Sequence, residues 1–191
     1  MNLGEGKTRL KEVQLADFGS TVHKDSRYAI DCDEIGTPIF RSPEASMQLR
    51  WGTATDIWSY GAMASPYSFY VCSLAYRFIA HQSYLRRGIP YLQTDVRSDH
   101  DEYELKILLK QHRIFGPFPE SYNEIANQDM LGALVYISEI SPPETLKPFH
   151  LTDPEEICEE DKEFILKMMK LDPRDRPTAE ELLKEGWFKD I

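Results

Sequence analysis

The sequence predicts a mainly α fold with a short β-hairpin near its beginning. Three features carry that reading. Leu105, Leu108, Leu109 and His112 fall at i, i+3, i+4 and i+7, the spacing of one helical face. Phe164, Ile165, Met168, Met169 and Leu171 form a second such face, and its methionines read as core filler. The third feature is punctuation. Asp172-Pro173 stops the second run, and Thr178-Ala179-Glu180-Glu181 follows as a capping box. In that box the threonine hydroxyl accepts from the backbone three residues on, while the glutamate reaches back.

The remaining elements follow in chain order. Residues 11–16 read as one strand of a hairpin, with the Gly4-Glu5-Gly6 region at its turn. Residues 19–44 are loop-like in composition. Residues 53–63 read as a buried helix, with Thr53 or Thr55 as its cap and Ile57, Trp58, Tyr60 and Gly61 as its apolar surface. Residues 62–94 are rich in aromatics and fit no single period. A helix begins near Asp101. Pro117 and Pro119 break the chain after it, and Tyr122, Ile125 and Ala126 open another helical pattern.

Bulk properties exclude several function classes. A chain of 191 residues suits one domain with a real core. Its formal charge of -10 and pI near 5.0 argue against a general nucleic-acid or anionic-membrane surface. Cys32, Cys72 and Cys158 form no Cys-x-x-Cys pair, so no zinc signature is present and a reducing compartment is expected. The five histidines include no His-Glu-x-x-His arrangement. The beginning of the chain lacks a signal-type apolar stretch. The most apolar segment, residues 62–80, is interrupted by Ser65, Pro66, Ser68, Ser73 and Arg77. A spanning helix needs about 20 predominantly apolar residues. A cytoplasmic or nuclear location is expected.

Four motifs stand in order along the chain. They are Val13-Gln14-Leu15-Ala16-Asp17-Phe18-Gly19, Gly36-Thr37-Pro38-Ile39-Phe40-Arg41-Ser42-Pro43-Glu44, Asp56-Ile57-Trp58-Ser59-Tyr60-Gly61, and Leu171-Asp172-Pro173-Arg174-Asp175-Arg176-Pro177-Thr178. Together they resemble the C-terminal lobe of a eukaryotic serine/threonine protein kinase. Phosphoryl transfer needs charge neutralisation on the triphosphate, usually by magnesium held by carboxylates. The resemblance implies that role for Asp17, which would bind the metal and through it ATP. Phe18 would anchor the turn by packing, and Gly19 would supply its backbone freedom.

The same resemblance makes residues 17–44 an activation segment. It implies a buried ion pair between Glu44 and Arg176. It also implies that Thr37 contacts the catalytic aspartate and orients the substrate hydroxyl. Asp56 would hydrogen-bond the backbone of the catalytic loop, or else cap its own helix. Arg41 before Ser42-Pro43-Glu44, together with Phe115-Gly116-Pro117-Phe118-Pro119, resembles the group of cyclin-dependent, mitogen-activated and SR-protein kinases. Ser20, Thr21, Ser26 and Tyr28 offer hydroxyls for phosphorylation without singling one out.

Other parts of the pattern are missing. The sequence holds no Gly-x-Gly-x-x-Gly loop, no Val-Ala-x-Lys lysine and no His-Arg-Asp-x-x-x-x-Asn catalytic loop. Only 16 residues precede Asp17. The N-lobe is therefore expected to be absent and the catalytic set incomplete. On this reading residues 1–191 are a partial kinase domain in which 11–61 and 95–190 match the C-lobe and 62–94 are an unmatched insertion. The parent activity is ATP-dependent phosphorylation of protein serine or threonine, with no catalysis expected of the chain alone. The alternative is a non-catalytic, kinase-derived protein-binding module. A protein substrate or docking partner is expected in either case, and neither nucleic acid nor membrane.

Overall fold

The computed structural model describes residues 2–3, 10–12, 18–63, 92–154 and 157–188. Asp17 and most of the unmatched segment 62–94 lie outside the described residues. Near the start, β1 (Asn2–Leu3) pairs antiparallel with β2 (Leu10–Glu12), with Asn2 opposite Glu12 and Leu3 opposite Leu10. The strand thus begins at Leu10, and residues 13–16 of the expected strand lie outside the described residues. Helices make up the rest of the regular structure among the described residues.

Residues 19–44 are not wholly irregular. α1 (Arg27–Ile30) is a single turn capped by the Ser26 side chain, which accepts from Ala29 N at 3.4 Å. α2 (Pro43–Ser46) opens on proline, whose missing N–H would have lacked a helical partner there anyway. α3 (residues 54–63) follows. Thr55 lies inside this helix rather than at its cap.

α4 (Tyr103–Phe115) has Glu104 in its first turn and Arg113 in its last, charges that complement the helix dipole, while burial holds the His112 imidazole below its ordinary value. Gly116 ends it by donating its N–H to His112 O at 2.9 Å. A Cβ at Gly116 would lie 2.5 Å from that same oxygen, so the turn requires glycine. The next helix starts later than Tyr122. A 3-10 turn (Glu120–Glu124) comes first, and α5 (Gln128–Glu139) begins where the Asn127 side chain accepts from Met130 N at 2.9 Å. Tyr122 is instead a core anchor, 1% exposed, with its hydroxyl donating to Leu171 O at 3.0 Å.

α6 (Glu159–Met168) carries three acids in its first turn and Lys167 in its last. α7 (Ala179–Leu183) is capped by the Thr178–Glu181 box, with both reciprocal bonds present.

Burial follows the two helical stripes. One cluster joins Trp58 of α3 to Phe149 and to Phe164, Ile165, Met168 and Met169. A second joins Met47, Leu49, Leu108, Tyr122, Leu134 and Ile137. Trp58 and Phe115 meet edge to face at 5.6 Å between ring centroids. Ala29, Ala45 and Trp51 form a smaller cluster that seats the segment before α2. Among the described residues no helix is long and apolar enough to cross a membrane.

Candidate functional site

Residues 18–44 lie across α3 and α4 and are held there by side chains from outside the segment. Trp51 donates its indole N–H to Asp33 O at 2.8 Å. Ser59, on α3, donates to Phe40 O at 3.0 Å. The hydroxyls of Ser42 and Thr55 share a buried hydrogen bond. The Arg41 guanidinium is buried and donates to Ile35 O at 2.9 Å and Gly36 O at 3.1 Å. Gly36 takes a left-handed φ of 71°, which favours glycine. Thr37 follows it, exposed and N-terminal to the turn Pro38–Phe40.

Glu44 and Arg176 meet in a bidentate pair at 2.7 and 2.8 Å, although 132 residues separate them. Their side chains are 1% and 0% exposed. Two buried charges tolerate this only when both are present and every remaining donor is met. Arg176 satisfies the second condition by also donating to Lys170 O, Ala54 O and Leu171 O. Its guanidinium carbon lies 5.1 Å from the centroid of the Trp58 ring, adding a cation–π contact. Nearby, Asp172 accepts from Ser121 and from both the backbone and side chain of Arg174. The Arg174 guanidinium is the main cause that holds the Asp172 carboxyl down at about 2.

The structure thus brings Glu44 and Arg176 together and places Thr37 on the surface of the same segment. Phe18 is 59% exposed in a single turn with Gly19 and Ser20. Asp17 lies outside the described residues. Asp56 sits in the first turn of α3, and desolvation raises its carboxyl above the ordinary range. Its carboxylate makes no hydrogen bond or ion pair among the described residues. Also among them, there is no group of three or more His, Cys, Asp or Glu that could hold a metal ion.

Several contributors escape sequence reasoning. Trp51, Thr55 and Gln111 hold the segment from outside the four motifs, and Ser59 does so from within the Asp56–Gly61 motif, which does not single it out. Gln111 occupies the buried stripe of α4, where a polar residue breaks the apolar pattern. That break is the one signal the sequence offers.

No protein-family model matches the chain. Among curated proteins, the chain is 27% identical over 180 residues to the probable serine/threonine-protein kinase sky1 of Dictyostelium discoideum. The alignment covers 94% of this chain and 25% of that protein. It is 24% identical to the serine/threonine-protein kinase SRPK of Physarum polycephalum, over 94% of this chain and 39% of that one. A MAP kinase structure from Leishmania major shares the fold with a TM-score of 0.53 at 15% identity, over 80% of this chain and 41% of that one. The chain is similar to part of a eukaryotic serine/threonine protein kinase domain.

The chain spans a quarter to two fifths of the length of those two curated relatives. Its described residues have the helical character of the C-lobe.

Proposed function

We propose that this segment belongs to an ATP-dependent protein kinase that phosphorylates serine or threonine in proteins of the cytoplasm or nucleus. One observation carries the reading: the buried Glu44–Arg176 pair, which ties the segment bearing Thr37 to the C-terminal helices. So costly an arrangement serves to fix that segment, and a fixed acceptor-side surface is what in-line phosphoryl transfer requires. Thr37 would orient the acceptor hydroxyl. Asp17 would hold magnesium, which neutralises triphosphate charge when bound. The sequence contains no His-Arg-Asp-x-x-x-x-Asn loop and no Gly-x-Gly-x-x-Gly loop, so on this reading those groups would have to be supplied by other polypeptide.

The test is transfer of labelled phosphate from magnesium-ATP to a protein substrate by the natural gene product carrying this chain. Transfer to serine and threonine is expected, with loss of at least about a hundredfold for Asp17→Asn. Unchanged transfer in Asp17→Asn would overturn the assignment. Residues 1–191 alone are expected to transfer nothing. Nucleotide-independent capture of a protein partner by an inactive gene product would favour the binding-module reading instead.

A further inference from the structure

We propose that Glu104 and Gln111 of α4 are positioning residues for the loop that carries Thr37, acting through Arg41. The inference rests on the kinase reading for its consequence, but its geometry stands alone. Arg41 is held at two points. Glu104 Oε1 accepts from its Nη1 at 3.3 Å, and the fully buried Gln111 donates from Nε2 to its backbone oxygen at 3.0 Å. The two side chains are seven residues apart, two turns of one helix, and therefore share a face. Between them Ile107 and Leu108 are buried and set α4 rigidly against the core.

The clamped guanidinium then holds the carbonyls of Ile35 and Gly36, the two residues immediately before Thr37. Glu34 also lies near this guanidinium, at 3.8 Å, but its side chain is 65% exposed. An exposed partner in water contributes little. Glu104, with its side chain 40% exposed, is the better-shielded counter-charge for a cation that is only 5% exposed. If Glu104 is removed, the guanidinium turns toward solvent or Glu34 and releases the two carbonyls. If Gln111 is removed, the backbone of Arg41 loses its anchor. Either change loosens the left-handed turn at Gly36, and with it the placement of Thr37, without touching Thr37 itself.

Hydrogen exchange of the chain in peptides covering residues 33–40 tests the clamp. Glu104→Gln and Gln111→Ala are each expected to raise exchange there by about ten-fold, with residues 159–183 unchanged. Glu104→Asp should recover part of the protection. Unchanged exchange in residues 33–40 would overturn the proposal, as would an equal rise along the whole chain. In the gene product carrying this chain, Glu104→Gln should raise KM for the protein substrate several-fold and leave KM for ATP unaltered. A shift in KM for ATP alone would also overturn it. A localised exchange effect in a wild-type gene product that transfers no phosphate would retain the clamp and sink the kinase reading instead.

Discussion

Arg176 carries five N–H donors, and the fold supplies an acceptor for each: both carboxylate oxygens of Glu44 and the carbonyls of Ala54, Lys170 and Leu171. Lysine has three donors and no planar fork, so Arg176→Lys leaves buried acceptors unmet. We expect that variant, and Glu44→Ala, to lose about 3–5 kcal/mol in urea unfolding, because each strands a buried charge or its acceptors. A double variant with apolar side chains of similar volume should lose less than the sum. Asp172 offers a pH-dependent counterpart. Its folded value near 2 lies below its ordinary 3.8, so its contribution is complete above about pH 4 and disappears as pH falls through 2. The stability gap between the wild type and Asp172→Asn is therefore expected to be about 1–2 kcal/mol at pH 7 and to close between pH 4 and 2. Unfolding midpoints followed across that range measure it.

At the level of elements, two glycines with opposite surroundings separate packing from propensity. Gly116 stops α4 where a Cβ would press on His112 O at 2.5 Å, whereas Gly132 sits within α5 with nothing inside 4 Å. Gly116→Ala should destabilise by about 1–3 kcal/mol through overpacking. Gly132→Ala should stabilise by about 0.5–1 kcal/mol, because alanine loses less backbone entropy in a helix. Thermal melts of the two variants read both signs. α4, α6 and α7 were legible in sequence because their apolar spacing and caps are local signals. The start of α5 was not. Tyr122, Ile125 and Ala126 have helical spacing, but Tyr122 is drawn to Leu171 O while Asn127 holds the cap. A contact 49 residues distant overrode the local period.

Across the whole molecule, the net charge of -10 places self-repulsion on a compact body. The melting temperature is therefore expected to rise as sodium chloride goes from about 10 to about 150 mM, where the Debye length shrinks from roughly 30 to 8 Å. A falling melting temperature would mean that attractive surface pairs dominate. The ordered motifs made the fold class legible, because each is a short run of residues whose order survives in sequence. The supports of the candidate site were less so. Trp51, Ser59 and Gln111 act by single hydrogen bonds to backbone carbonyls, and a carbonyl leaves no mark on residue identity.

The span between Glu44 and Arg176 also sets a schedule for biosynthesis. Arg176 is translated 132 residues after Glu44, which at 5–20 residues per second takes roughly 7–26 s. Throughout that interval the nascent segment cannot bury its carboxylate with a partner, so α2 has no finished seat. A ribosome that stalls or terminates between the two codons would release a product with that seat unmade, suited to chaperone capture and proteolysis rather than to function.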